Sequence, residues 1–284
     1  MEVEAFAKLN LSLRVRPRDR SGLHPLRSLM QSIEWTDLLT LEEAADDDFS
    51  VRGLPVPDDE SNLAWRALEA VRATAARPGP AALTLEKRIP VSAGLGGGSA
   101  DAAAVLGLAA VRYGLSDEER DALAPALGAD VPFCLLGGTC LVEGHGERLT
   151  GLPPLGGFVL AVVVPPFEVP TTDAYRRWDD LGGPEGPAVP VGDLPVALRA
   201  GEPPANDLLP AAVSLVPELG DWMADLCRSW GQAVLMSGSG PALFGFFPSE
   251  DEAAEAAASV PGARAARACH PAPQGWQVPS GTLP

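Results

Sequence analysis

Pro90-Val91-Ser92-Ala93-Gly94-Leu95-Gly96-Gly97-Gly98-Ser99-Ala100-Asp101-Ala102-Ala103 is a glycine loop run directly into an alanine-rich segment. Four of the five positions from Gly94 to Gly98 are glycine, so the backbone there can take φ > 0 and approach a ligand closely. A helix is predicted from about Ser99 to Tyr113, ended by Gly114. Its unpaired N–H groups and positive dipole end face the loop, which makes a cradle for phosphate. Ser99 can cap that helix, bond a phosphate oxygen or ligate Mg²⁺. Two better-known loops fit poorly. A Walker A loop needs Lys after its last Gly, where Ser99 and Ala100 stand. Gly94-x-Gly96-x-x-Ser99 has the outline of a dinucleotide fingerprint, but the loop is too dense in glycine and Pro90 breaks the strand ahead of it. This counts against a nicotinamide-dependent oxidoreductase.

Outward from the loop, Ala81 to Ile89 is predicted as a strand and Asn62 to Arg77 as a helix, with Ser61 as its cap. Ser116 and Glu119 form a capping box for a further short helix. Strands are predicted at Ala5 to Val15, Cys134 to Glu143 and Gly157 to Val164. Helices follow near Leu219 to Trp230 and Glu250 to Ser259, with a hairpin around Ser237 to Gly240 and a long loop from Gly182 to Pro195. The last fifteen residues carry no Lys, Arg, Asp or Glu and read as a loose tail. The mixture indicates an α+β protein. Gly and Pro cluster at Gly151 to Gly157, so the expected units are residues 1–152 and 153–284.

The 284 residues are 46% hydrophobic and 21% charged, a globular balance that excludes a disordered or fibrous chain. A net charge of −17 argues against general binding of a nucleic-acid backbone. A small anionic ligand remains compatible where cations converge, because the overall field is screened beyond about 8 Å. The first thirty residues carry six basic and three acidic side chains; the next thirty carry one and ten. Cys134, Cys140, Cys227 and Cys269 have no metal-ligand spacing and suggest no disulfide framework. The start lacks a signal-peptide pattern, and no uninterrupted apolar run of about 18 residues occurs. A cytoplasmic protein that engages neither membrane nor nucleic acid is expected.

Two further motifs stand in order around the loop: Ala7-Lys8-Leu9-Asn10-Leu11-Ser12-Leu13, and Met236-Ser237-Gly238-Ser239-Gly240-Pro241-Ala242-Leu243-Phe244. With Pro-x-x-x-Gly-Leu-Gly-Gly between them, the chain from about Glu4 to Phe247 resembles the GHMP small-molecule kinases. The Lys-x-Asn start and Gly128-Ala129-Asp130-Val131-Pro132-Phe133 resemble those members that phosphorylate a hydroxyl of a cytidine-diphosphate sugar alcohol in the non-mevalonate isoprenoid route. The resemblance implies two α+β domains with the site between them and a left-handed βαβ crossover, the hand that pattern rules alone would not assign. It implies ATP and Mg²⁺, a small-molecule acceptor, and a monomer or weak homodimer.

The same resemblance assigns catalysis to Lys8 and Asp130. Asp130 would accept the proton of the attacking hydroxyl, and the Lys8 ammonium would keep that carboxylate ionised and offset charge on the acceptor oxygen. Independently of family, only two of the 21 basic residues are lysine, and they are Lys8 and Lys87. ATP would be held by Pro90 to Ala100, with Asn62 and Leu63 beside adenine and Lys87 before the loop. Acceptor binding falls to Asn10, His24, Thr171 and Tyr175. Leu23 stands where such members usually carry a second aromatic, so one face of the base would lose a stacking partner. Asp130 also fits a helix cap after Gly128, Asn62 a helix start, and His24 an ordinary loop residue. Ser237-Gly238-Ser239-Gly240 braces the phosphate loop or forms a plain glycine turn. Rival functions are a kinase of homoserine or sugar type and a GHMP-fold sensor that binds nucleotide without chemistry.

Overall fold

The structure is a computed structural model that describes residues 1–199 and 203–279. It opens on two long antiparallel strands, β1 (Glu2–Val15) and β2 (Leu26–Glu43). Their pairing shifts between Phe6 and Ala7 and again between Asn10 and Ser12. Bulges of this kind bend a strand and re-aim its side chains. Lys8 and Asn10 lie between the two irregularities. The strand alternation expected from Phe6 through Val15 is thereby interrupted, and residues 5–11 are buried on both faces.

The chain continues as β3 (Asp48–Gly53), α1 (Leu63–Thr74) and β4 (Ala81–Lys87). β3 and β4 are parallel and joined through α1, a βαβ unit. The cap of α1 is Asn62, whose side chain accepts from the Ala64 N–H, and not Ser61. Both residues have capping side chains; Ser61 instead bonds Asp59. β4 ends at Lys87 and not at Ile89, because the Arg88 and Ile89 N–H groups leave the ladder and donate to Asp37.

α2 (Gly97–Tyr113) starts two residues before the predicted Ser99 and stops at left-handed Gly114. Residues 100–110 of α2 are buried on every side, as expected for a helix without a polar face. α3 (Asp117–Leu127) carries the predicted Ser116–Glu119 capping box. The strand predicted from Cys134 begins instead as helix α4 (Val131–Leu136), with Pro132 in its first turn; β5 (Thr139–Gly144) and β6 (Arg148–Leu152) follow. Strands β1 to β6 belong to one sheet, in which β5 pairs with both β2 and β6.

A second, four-stranded sheet is built from β7 (Val159–Val164), β8 (Leu235–Met236), β9 (Leu243–Phe247) and β10 (Ala265–Cys269). Helices α5 (Thr171–Asp180), α6 (Leu209–Leu215), α7 (Glu218–Trp230) and α8 (Glu250–Ala258) complete this half. The loop after α5 contains 3₁₀ turns at Val191–Asp193 and Val196–Leu198. No described helix is long and apolar enough to cross a membrane.

The tail is not loose over its described part. β11 (Trp276–Gln277) adds to the open edge of β1 in the first sheet. The Trp276 ring occupies the space a side chain would need at Gly107 of α2, where a Cβ would come within 2.4 Å of it. Its indole N–H donates to Leu135 O at 3.1 Å. Residues 280–284 lie outside the described part.

Candidate active site

The glycine loop crosses from the end of β4 to the start of α2 through three left-handed residues: Ser92 (φ 51°), Gly94 (φ 77°) and Gly96 (φ 66°). A non-glycine residue held at positive φ is a local strain of the kind found at functional sites. Gly96 occupies the N-cap of α2 and no side chain caps the helix, so its first-turn N–H groups remain available to an anion. The glycines are also demanded sterically. A Cβ at Gly94 would lie 2.4 Å from Ser237 O, one at Gly96 2.8 Å from Lys8 Cγ, and one at Gly97 2.9 Å from Lys87 Nζ.

Opposite the helix start, Lys8 Nζ lies 3.2 Å from Asp130 Oδ2. The same ammonium donates to Asn10 Oδ1 at 2.7 Å. Asn10 is oriented by its own donation to Ser28 Oγ at 2.9 Å, and Ser28 donates onward to Ser12 O at 2.6 Å. Asp130 sits at the N-cap of α4, yet its side chain makes no capping bond. Its carboxylate, 32% exposed against 5% for the Lys8 side chain, is left for the cleft. The capping alternative therefore fails on geometry. The third motif closes the wall: the Asn10 N–H donates to Ser237 Oγ at 3.1 Å, and that hydroxyl donates to Gly94 O at 2.8 Å.

Lys8, Asn10, Asp130 and the loop share one cleft of about 610 Å³. Asn62, Leu63, Lys87, Pro90, Val91, Ser92, Ala93, Gly94, Leu95, Gly96, Gly97, Gly98, Ser99, Thr171 and Tyr175 line it as well. Both polar atoms of Asn62 are engaged locally, with Ala64 N and Pro57 O, so its part in the wall is to start α1 there. Thr171 Oγ1 and Ser239 Oγ are 2.8 Å apart across the cleft wall. Burial, reinforced by the Asp130 charge, pushes the Tyr175 phenol up to about 12.

Two expected residues do not line the cleft. Ala100 is fully buried behind the loop. His24 bonds Arg16 O through Nδ1 at 2.9 Å and approaches Asp179 Oδ2 through Nε2 at 3.3 Å, so neither nitrogen is aimed at the cavity. Its ring stacks on Tyr175 at 5.2 Å and 29°. Leu23 is 56% exposed.

Sequence reasoning passed over Asp101 and Asp37. Asp101 lines the cleft, and both carboxylates bond the Lys87 ammonium. A charged residue inside the alanine run of α2 was the available signal. Among the described residues no group of three or more His, Cys, Asp or Glu is placed to hold a metal ion.

A glycine cradle at a helix start, facing a lysine–carboxylate pair across one cleft, defines a small-molecule kinase of the GHMP class. The profile of the GHMP kinases N terminal domain matches residues 62–138, and that of the GHMP kinases C terminal domain matches residues 197–265. The chain belongs to the GHMP kinase family, whose members are ATP-dependent small-molecule kinases. More particularly, it is 39% identical over 255 residues to the 4-diphosphocytidyl-2-C-methyl-D-erythritol kinase of Moorella thermoacetica, covering 86% of this chain and 89% of that one. The enzyme of that name from Deinococcus radiodurans is 39% identical over 261 residues, covering 90% and 87%. A crystal structure of 4-(cytidine 5'-diphospho)-2C-methyl-D-erythritol kinase superposes with a TM-score of 0.80 at 40% identity, over 96% of this chain and 100% of that one. Homoserine kinase from Cytophaga hutchinsonii, 20% identical with a TM-score of 0.71 over 98% of this chain and 96% of that one, shares the fold.

Proposed function

We propose that the protein transfers the γ-phosphoryl group of ATP to the 2-hydroxyl of 4-diphosphocytidyl-2-C-methyl-D-erythritol, a step toward isoprenoid precursors. The observation that carries this reading is the 3.2 Å approach of Lys8 Nζ to Asp130 Oδ2 in the same cleft as the helix start of α2. The relatives of that name support the choice of acceptor.

In this mechanism the acceptor hydroxyl lies against Asp130, which takes its proton as the oxygen attacks the γ-phosphorus. The new O–P bond forms as the bond to the ADP leaving oxygen breaks. Positioning and charge compensation carry such a transfer. The Lys8 ammonium, fixed by Asn10, offsets charge on the acceptor oxygen, and the free N–H groups at the start of α2 hold the phosphates. Mg²⁺ is commonly held by substrate phosphates and one or two protein ligands, so it would need no dedicated cluster of side chains here. Ser99, in the first turn of α2 and in the cleft wall, would contribute a hydroxyl to it. When bound, the ion neutralises phosphate charge.

Thr171 and Tyr175 would receive the acceptor's far end. His24 would act through the position of Tyr175, on which it stacks. Two functional units, 1–152 and 153–284, and a cytoplasmic monomer or weak homodimer complete the reading. The test is ADP release coupled to a reporter, with the cytidine compound, its uridine analogue and homoserine as acceptors. Turnover with the cytidine compound well above the other two is expected; turnover with homoserine alone contradicts the assignment.

A further inference from the structure

Beneath the glycine loop lie three buried charges: Asp37 is fully inaccessible, Asp101 is 2% and Lys87 3% exposed. The Lys87 ammonium donates to Asp37 Oδ2 at 2.5 Å and to Asp101 Oδ2 at 2.6 Å. Asp37, on β2, uses its other oxygen to accept the Arg88 and Ile89 N–H groups at 2.5 and 2.8 Å. Those residues lead into the loop at Pro90. Asp101 belongs to the start of α2, into which the loop runs. One ammonium thus ties the residues before the loop to the helix after it.

Such a cluster is a poor device for stability. Desolvating three charges is expensive, and apolar side chains of like volume commonly serve a core as well or better. Moreover, the cluster is unbalanced, two carboxylates to one ammonium, and Asp101 Oδ1 has no partner. Burial pushes the Asp101 carboxyl well above the usual carboxylate range. Burial also opposes the Lys87 charge, but Asp101 and Asp37 outweigh it and hold the ammonium. The space for it is reserved, since a Cβ at Gly97 would stand 2.9 Å from Lys87 Nζ. No element of this arrangement is needed to complete β4 or α2 as secondary structure. What it sets is the distance between the two ends of a loop that includes strained Ser92.

We infer that Lys87 and Asp101 are positioning residues for nucleotide: the Asp37–Lys87–Asp101 bridge holds the glycine loop and the first turn of α2 in register to receive the ATP phosphates, and Lys87 acts through the loop without touching them. This rests on the proposed use of the loop for ATP and deepens it.

The experiment is calorimetric titration of the full-length protein with Mg·ATP for the parent, Lys87→Met, Asp101→Leu and the double variant, each with its thermal unfolding midpoint and its KM for the acceptor. A tie predicts that each single change weakens ATP binding about tenfold and that the double change weakens it no further, the signature of coupled residues. The double variant leaves Asp37 with its two backbone N–H donors but no ammonium, so its unfolding midpoint is expected below the parent's yet above that of Lys87→Met, which buries two unpaired carboxylates, while its ATP affinity stays low. Acceptor KM is expected within about twofold of the parent in all of them, since uncoupled sites add independently. A direct contact between Lys87 and phosphate predicts a different pattern: Asp101→Leu binds ATP as tightly as the parent or tighter, and only Lys87→Met loses affinity. That pattern, or losses that multiply in the double variant, overturns the inference. Should a single variant not fold, the parent and the double variant still decide it, because parental ATP affinity in the double variant contradicts the tie. A parent that does not bind ATP contradicts the proposed function itself and takes this inference with it.

Discussion

The Ser237 hydroxyl donates to the Gly94 carbonyl at 2.8 Å and accepts the Asn10 N–H at 3.1 Å, so one buried side chain ties the third motif to the first and second. Gly94 has no room for anything else there. Residues separated by 143 positions in one case and 227 in the other meet at this oxygen. Ser237→Ala leaves a buried N–H and a buried carbonyl without partners. A loss of about 1–3 kcal/mol in urea unfolding is expected, together with a raised KM for ATP as the loop loses its brace.

Gly96→Ala tests the cradle itself. The position has φ 66°, and an added Cβ would come within 2.8 Å of Lys8 Cγ. A left-handed alanine alone costs about 1–2 kcal/mol. The further expectation is loss of turnover well beyond what that destabilisation explains, because relieving the clash moves Lys8 from Asp130. Single-turnover kinetics at saturating ATP should show the fall in the chemical step.

Much of this architecture was legible locally. The glycine loop, the alanine helix behind it and the Ser116 capping box follow from residues a few positions apart, and each forms where expected. Misreadings came where adjacent residues compete or where the partner is distant. Ser61 and Asn62 can both cap, and only the Asp59 contact decides between them. Cys134 to Leu136 looks like the start of a strand until Pro132 and Asp130 are recognised as a helix start. The charge-free tail gave no sign that Trp276 would fill the gap at Gly107, 169 positions away in sequence. For the site, the pairing of Lys8 with Asp130 is what the resemblance to the GHMP kinases implies. The turning of His24 toward Arg16 O and Asp179 and the bridge through Lys87 depend on contacts that no spacing rule reveals.

Trp276→Ala should therefore cost far more than a change near a chain end usually does. The ring packs on α2 and its indole N–H is bonded to Leu135 O. A loss of about 3 kcal/mol is expected in chemical denaturation, the low end for a large aromatic because the residue is only partly buried. A neutral result would mean that β11 is not needed to close the first sheet.

Thiol chemistry offers an independent check on the packing. Cys134, Cys140 and Cys269 are buried, whereas Cys227 is partly accessible. Burial pushes the Cys269 thiol up to about 12 and raises those of Cys134 and Cys140 above the ordinary range. A raised thiol pKa keeps the reactive thiolate scarce at neutral pH. Alkylation of the native protein near pH 8, read by intact mass, should add one label at Cys227, with the other three reacting only on unfolding.

The central claim is that the carboxylate held beside Lys8 takes the proton of the acceptor hydroxyl. Asp130→Asn keeps the shape of the side chain and removes its basicity, and the carboxylate supports no helix cap whose loss would confuse the result. Turnover should fall by about 10²–10⁴-fold, with ATP affinity measured by calorimetry close to that of the parent. Parental turnover in the Asp130→Asn protein would contradict the account.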